Sequence, residues 1–205
     1  MKSKQLALFL IGFVAIFAFT SQAFAREPVD PSTLNPPPRA DTICERVGNG
    51  IICDVQFSDP PFAGGSGVIC GTGANAYEVS QFLNRSVRGK RYYDQNGNLL
   101  RRHFREVLSG TFSNPQNNAA VSFSGQDTHL HYLATPGDVS SGTDIVTGSF
   151  RVYLRHGGSV LLEAGRTIEA ADGSAFLGES GPHPFADYFV FGDTAAVQPL
   201  CDALQ

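Results

Sequence analysis

Lysine is scarce in this chain, and its basic residues are outnumbered by acidic ones. The 205 residues carry 15 Lys and Arg against 19 Asp and Glu. Residues 1–25 hold two of the lysines and no acidic residue, so the remainder has a formal charge of −6, and Lys90 is its only lysine. Nucleic-acid binding requires a basic surface. The composition therefore argues against nucleic acid as a partner.

Several motifs of catalytic and metal sites are missing. The sequence has no Cys-x-x-Cys pair of the kind that binds structural zinc. Residues 64–67 are Gly-Gly-Ser-Gly but lack the Gly-Lys-Ser/Thr ending of a P-loop. Val68 stands where a nucleophile elbow around Ser66 would need glycine. We therefore interpret residues 58–73, which are rich in Gly and Pro, as a plain loop.

The chain also lacks an apolar run of the ~20 residues that a membrane-spanning helix needs. Its apolar N-terminal run, residues 6–19, follows Lys2 and Lys4 and precedes the small-x-small sequence Ala23-Phe24-Ala25. These are the features of a secretory signal peptide. We predict that residues 1–25 are removed by cleavage after Ala25, and that the mature protein is secreted and has no membrane span.

The segment after the predicted signal peptide is rich in proline. Residues 26–41 contain five prolines and no aromatic residue. Such a composition is typical of an extended or disordered spacer. We predict a spacer over residues 26–42 and a single folded domain over residues 43–205.

The four cysteines are predicted to form two disulfides, since an exported chain can keep them. Val47-Gly48-Asn49-Gly50 predicts a two-residue hairpin turn. Stepping outward from this turn brings Cys44 opposite Cys53 in a non-hydrogen-bonded pair, with Cα atoms about 4.5 Å apart. A disulfide accepts that spacing. By elimination, Cys70 pairs with Cys201.

No stretch after residue 25 predicts a helix of three turns. Instead, alternating apolar and polar residues recur between turn sequences such as residues 114–118 and 156–159. The pattern predicts an all-β domain. We expect a single antiparallel β-barrel with two disulfides, because closure removes exposed strand edges; a β-sandwich is the alternative.

Seven basic side chains cluster in residues 84–108, which predict a long antiparallel hairpin around an Asn-Gly turn. The turn register is expected to place Tyr93 opposite Leu99 and Arg91 opposite Arg101. Guanidinium groups suit small anionic or amphipathic ligands. The alternative is that the arginines pair with acids on neighbouring strands. The predicted ligand-binding residues are Arg91, Arg101, Tyr93, His103 and Arg105.

Asp127, His129 and His131 alternate along one predicted strand, so their side chains are expected to share a face. Two imidazoles and a carboxylate are suitable ligands for a transition metal. The alternative is a solvated polar face without metal. Acid–base catalysis would need groups such as Asp127, Glu163 and His103 to converge, and the sequence alone does not bring them together.

Four motifs appear in order between residues 91 and 183. They are Arg-Tyr-Tyr-Asp-x-Asn-Gly-Asn-Leu (91–99), Gly-Thr-Phe-Ser-Asn-Pro (110–115), Glu-Ala-Gly-Arg (163–166) and Ser-Gly-Pro-His (180–183). This set resembles secreted hypothetical proteins of actinobacterial type, over about half of the chain. The resemblance implies no activity. At the level of the fold only, such barrels are similar to lipocalins and to the allene oxide cyclase and dirigent type.

Three hypotheses for the function follow. The first is a secreted, non-enzymatic β-barrel module that binds a small ligand and needs no cofactor. The second is an isomerase-like or cyclase-like enzyme, also without a cofactor, and the third is a structural protein of the cell envelope. The interior of the sheet discriminates between them: a filled interior favours the structural protein, an apolar cavity favours binding, and convergent Arg, His and Glu side chains favour the enzyme.

Overall fold

The computed structural model describes residues 26–205, and the predicted signal peptide lies outside them. This part of the chain forms ten strands and two short α-helices. The strands are β1 Glu27–Val29, β2 Ile43–Val47, β3 Gly50–Ser58, β4 Phe62–Cys70, β5 Tyr77–Tyr93, β6 Leu99–Ser113, β7 Ala120–Tyr132, β8 Thr143–Tyr153, β9 Ser159–Ala170 and β10 Phe176–Ser180, and the helices are α1 Pro184–Phe191 and α2 Gln198–Ala203.

All ten strands belong to one antiparallel sheet in which chain neighbours are mostly sheet neighbours. β3 and β4 act as one interrupted strand, because β3 pairs with residues 86–93 of β5 and β4 with residues 77–83. Pro60 and Pro61 separate them, since proline cannot donate to a ladder. The prediction of a plain loop over residues 58–73 is wrong: glycine hides the side-chain alternation, but its backbone still pairs.

The sheet does not close on itself. Its order begins at β1 and ends at β10, and no ladder within residues 26–205 joins the two ends. The sheet curls, however, and helix α1 lies between β4 and β9. The backbone N–H of Ile69 in β4 donates to the hydroxyl of Tyr188 at 3.0 Å, and the N–H of Phe185 donates to Glu163 in β9 at 3.2 Å. The all-β prediction is confirmed, whereas a closed barrel is not.

Both predicted disulfides are confirmed. Cys44 and Cys53 face each other in the β2–β3 ladder, with Cα atoms 4.0 Å apart, as the register of the hairpin requires. Cys70 of β4 is joined to Cys201 of α2 across 131 residues of sequence. The second bond therefore attaches the C-terminal helix to the interrupted strand.

The proline-rich segment is not a free spacer, and this prediction is corrected. β1 pairs with β2, placing Val29 opposite Cys44. Leu34 is buried in an apolar cluster with Tyr93 and Leu99. Asn35 also makes backbone hydrogen bonds to the turn of the β5–β6 hairpin. Proline composition gave no sign of these contacts, which depend on one buried leucine and a short edge strand.

The buried apolar residues form two clusters at opposite ends of the inner face, the face that carries Val87, Phe123 and Val152. The larger cluster joins the sheet to α2 through residues such as Phe112 and Leu200, while the smaller one contains both cysteines of the first disulfide. Between the two clusters, the inner face carries charged side chains, and this band positions the candidate sites.

Candidate functional site

The basic hairpin forms as predicted, but its register changes at a bulge. Tyr93 lies opposite Leu99, as expected, whereas Tyr92 lies opposite Arg101 and Arg91 opposite Arg102. Leu100 is the additional residue on β6. Because side chains alternate in a strand, one inserted residue moves every later side chain to the other face. The predicted pairing of Arg91 with Arg101 is therefore wrong.

The five predicted ligand-binding residues consequently divide between two faces of the sheet. Arg91 and Tyr93 lie on the inner face. Arg101, His103 and Arg105 lie on the outer face, where the Arg101 guanidinium stands 4.1 Å from the centre of the Tyr92 ring and Arg105 donates to Gln126. Together, the five residues do not make one site.

The inner face instead brings together a different set of arginines in a pocket of about 580 Å³. We call it the arginine pocket. Its polar lining comes from the segment before β2, the β3–β4 connection and strands β5 to β8, and its apolar lining comes from β3, β5 and β6. The charged and imidazole side chains are Arg39, Asp59, Arg85, Arg91, Arg102, Glu106, His129, His131 and Asp144.

Many of these charges are paired within the chain. Arg85 forms ion pairs with Glu106 and with Asp59, the latter at 2.8 Å, and the hydrogen bonds that Arg85 donates to Glu106 raise the pKa of Arg85. His129 Nδ1 lies 3.4 Å from Asp144, which raises the pKa of the imidazole and lowers that of the carboxyl. This part of the pocket fits the intramolecular alternative for the basic hairpin.

Arg91 and Arg102 have no such carboxylate partner among residues 26–205. The Nε of Arg91 is buried without a hydrogen-bond partner in this part of the chain, and its NH1 makes only long contacts with the Pro37 carbonyl and the Tyr93 hydroxyl. Burial and the charge of Arg91 lower the pKa of Arg102. Neither of these two adjacent guanidiniums therefore forms an ion pair with a carboxylate in residues 26–205, although the charge of Asp144 offsets part of the lowering of the Arg102 pKa.

The predicted metal site does not form. Asp127, His129 and His131 do share the inner face, but no group of three or more His, Cys, Asp or Glu within residues 26–205 is placed to hold a metal ion. His131 Nε2 donates to the Ser141 carbonyl at 3.0 Å, and its Nδ1 accepts from Arg102 Nε at 3.0 Å. Both ring nitrogens are therefore occupied, and the geometry does not support the metal hypothesis.

A second, smaller pocket of about 280 Å³ lies beside the arginine pocket on the inner face. We call it the carboxylate pocket. Asp127 of β7 and Glu163 of β9 line it together with His183 and a group of phenylalanines. Burial raises the pKa of both carboxyls. Two desolvated acids in an apolar surround are a common feature of functional sites.

Several residues of these sites were not predicted from the sequence, among them Arg102 and Asp144. The expected register put Arg101 opposite Arg91, and the bulge at Leu100, which puts Arg102 there instead, leaves no mark in the pattern of alternation. Asp144 lies opposite His131, but the connection between β7 and β8, residues 133–142, is too long for a turn rule to fix the register. The turn from Asp94 to Asn98 lies next to the bulge but gives no indication of it, because the geometry of the turn itself is as predicted.

Comparison with known proteins does not identify a relative. The chain matches no protein-family model, no curated protein and no solved structure. Within residues 26–205, none of the helices has the length and apolar character needed to span a membrane. The resemblance to secreted actinobacterial proteins thus stays a prediction, and the candidate function has to be argued from the two pockets.

Proposed function

We propose that this protein is an extracytoplasmic binding protein that holds a small amphipathic anion in the arginine pocket. The observation that carries the proposal is the pair of adjacent arginines, Arg91 and Arg102, which face one pocket without a carboxylate partner in the described chain. Like charges directly opposite in a ladder destabilise it. A bound carboxylate or sulfate removes that repulsion and gives the buried Arg91 Nε an acceptor.

The rest of the pocket suits an apolar ligand body. Val55 and Val87 are almost fully buried at its base, and the rings of Phe57 and Phe104 line it. The Arg39 guanidinium stacks on Phe57 at 4.7 Å from the ring centre. A pocket of this volume, with apolar walls and a few polar groups, is within the range of small-molecule sites. It is not the filled interior expected of a purely structural protein.

An extracytoplasmic location is part of the proposal. Its support is the pair of formed disulfides, which persist in oxidising compartments, together with the signal-like features of residues 1–25. The measurement is the intact mass of the exported protein. We expect a chain that begins at Arg26, and an exported protein that retains residues 1–25 would contradict this part.

The binding test compares octyl sulfate and octanoate with octanol, at ionic strength matched with chloride. A ligand that binds only the folded state, at a hundredfold excess over Kd, raises stability by about 2.7 kcal/mol. For a domain of this size, that corresponds to a rise in Tm of about 5–10 °C. We expect the rise with the two anions and a much smaller one with octanol.

The matched variants are Arg102→Gln and Arg101→Gln, which change adjacent residues on opposite faces of the sheet. We expect Arg102→Gln and Arg91→Gln to lose the anion-specific rise and Arg101→Gln to retain it. Arg91→Gln is the less disruptive inner variant, because Arg91 makes only long hydrogen bonds. Equal changes in Tm on addition of the anions for all three variants, or no anion-specific rise in Tm of the unmodified protein, would refute the proposal.

A second candidate is the cofactor-free isomerase, because the pocket also has the convergent Arg, His and acidic side chains expected of an enzyme. The specific observation is that the His129–Asp144 pair faces the same pocket as Arg91 and Arg102. A carboxylate-oriented imidazole is a plausible general base. The test is deuterium incorporation into 3-octenoate in D2O. Loss of incorporation in His129→Gln, with octanoate binding retained, would favour the enzyme; its absence in the unmodified protein leaves binding alone.

A further inference from the structure

Two carboxylates, Asp127 and Glu163, line the carboxylate pocket together with hydroxyl and amide side chains. Asp127 makes no hydrogen bond to any residue between 26 and 205, and it lies opposite Glu106, whose oxygens are already bound by Arg85. Glu163 accepts one hydrogen bond, from the backbone N–H of Phe185. The pocket therefore offers carboxylate oxygens that the described chain itself leaves largely unused.

His183 adds a third acceptor that has no partner. Its side chain is only 5 % exposed. Nε2 lies 3.0 Å from the Ser180 carbonyl, which can only accept, so Nε2 carries the proton and Nδ1 presents a lone pair in the neutral imidazole. Nδ1 is buried without a hydrogen-bond partner in residues 26–205 and lies 3.9 Å from Glu163 Oε1. A buried acceptor of this kind requires a donor.

Two glycines provide the space next to these acceptors. A Cβ atom on Gly148 would lie 2.2 Å from Asp127 Oδ1, and one on Gly165 would lie 3.0 Å from His183 Nε2. Both glycines pair with each other in the β8–β9 ladder. Their missing side chains leave Asp127, Glu163 and His183 facing a shared volume across β8.

Aromatic rings form the apolar part of the pocket. Phe150 and Phe185 meet edge to face with centroids 5.6 Å apart, and Phe112 lies 6.0 Å from Phe185. Phe189 of α1 completes the lining on the open side. Aromatic faces attract organic cations, and the attraction is stronger in a desolvated site.

We propose that the carboxylate pocket binds a primary ammonium group carried on a compact apolar or aromatic body. The ammonium donates to Asp127, Glu163 and His183 Nδ1, which together match its three donors. The body packs against Phe112, Phe150 and Phe185. A volume of about 280 Å³ limits the ligand to a small amine. This site is separate from the arginine pocket, since Arg85 and Glu106 stand between them.

Binding should be linked to pH through the charged groups around Asp127. These groups are Glu106 on β6, His129 on β7, Glu163 on β9 and His183 before α1, whereas β8 places Gly148 opposite Asp127. Burial raises the pKa of Asp127 and Glu163. Ligand binding should therefore release protons at mildly acidic pH, and affinity should rise with pH as these carboxyls ionise.

The experiment is isothermal titration calorimetry with 2-phenylethylammonium, with 2-phenylethanol as the neutral counterpart and 3-phenylpropanoate as the anion. We expect at least about tenfold weaker binding of the alcohol and none of the anion, since a charge-assisted hydrogen bond is lost. Titration at mildly acidic pH, in buffers of different ionisation enthalpy, should show proton release, because the pKa values of Asp127 and Glu163 are raised.

The variants are Asp127→Asn and Glu163→Gln, which preserve shape and remove charge. Each variant should weaken binding of the ammonium about tenfold or more. Glu179→Gln is the control, because Glu179 is exposed on β10 and its replacement changes the net charge by the same amount. Arg91→Gln should also leave ammonium binding unchanged. Equal affinity for the ammonium and the alcohol, unchanged affinity in both acidic-site variants, or no binding of the ammonium at millimolar concentration would overturn the proposal.

Discussion

Removing the bond between Cys70 and Cys201 should destabilise the protein far more than removing the bond between Cys44 and Cys53. The two bonds span 131 and 9 residues. On the chain-entropy model, a disulfide stabilises by restricting the unfolded chain, and the effect grows with the logarithm of loop length. At 25 °C the long loop corresponds to about 5 kcal/mol and the short one to about 2.7 kcal/mol.

The comparison is made between two double variants, Cys70→Ala/Cys201→Ala and Cys44→Ala/Cys53→Ala. All four cysteines are at most 5 % exposed, so each double variant leaves similar buried holes and the packing losses nearly cancel. The difference of about 2.3 kcal/mol should then appear as a gap of about 0.8 M between urea midpoints, for an m value of about 3 kcal/mol/M.

Urea unfolding followed by circular dichroism measures both midpoints, and equal m values would show that the unfolded states are equally exposed. The lower midpoint should belong to the variant that lacks the long-range bond. A midpoint for the Cys44→Ala/Cys53→Ala variant that is equal to or lower than that of the other double variant would refute the reasoning.

Two further predictions concern the inner face. The pKa of His129 is raised by Asp144, so the pair stabilises the folded protein below the unfolded pKa of about 6.5, and this stability is lost as pH rises through the higher folded pKa. Asp144→Asn should therefore flatten the fall in urea midpoint between about pH 6 and 8, and an unaltered fall would contradict the role of the pair. Gly165→Ala places a Cβ 1.9 Å from the Ser180 carbonyl oxygen at a positive φ, so it should lower the free energy of unfolding by about 2 kcal/mol or more. Gly173→Ala also has a positive φ but meets nothing within 4 Å, so it should cost about 1–2 kcal/mol; equal Tm losses would show that the close approach at Gly165 is not restrictive.

Local rules predicted the parts of the fold that depend on short segments. The β2–β3 hairpin is correct residue by residue, because its two-residue turn fixes a register that no bulge interrupts before Cys44 and Cys53. The β5–β6 turn is also correct as far as Tyr93 and Leu99. Where a single turn determines the pairing and no bulge follows it, the sequence alone predicts the register.

Prediction of the register from the turn failed where one inserted residue moved the following side chains to the opposite face of the sheet. Leu100 moves Arg101 outward and Arg102 inward, so the predicted arginine pair was displaced by one position, although its chemistry was preserved. The carboxylate pocket was not predictable from the sequence for another reason. Asp127 and Glu163 are separated by β8 and line one pocket across Gly148, which has no side chain, and this depends on two successive long-range registers.

Helix α1 was missed even though its ends have ordinary signals. Pro184 lies in the first turn, and Gly192 ends the helix in the left-handed conformation with φ of 72°. Its eight residues are too short for a clear helical period, and their apolar character is uniform rather than one-sided. The position of the helix is set by contacts with Ile69 and Glu163.

Helix α1 fills a gap between β4 and β9, so the carboxylate pocket should be easier to open on that side than on its other sides. Elsewhere, exposing the pocket requires the separation of long paired strands, whose amides should exchange with solvent only on extensive unfolding. Between β4 and β9 the barrier is the helix itself, held to the two strands by hydrogen bonds of Tyr188 and Phe185. Its flanks are anchored by β10 on one side and by the Cys70–Cys201 bond on the other. We therefore expect the helix to open as a local unit, and hydrogen exchange in residues 184–191 to be governed by this opening rather than by the stability of the sheet.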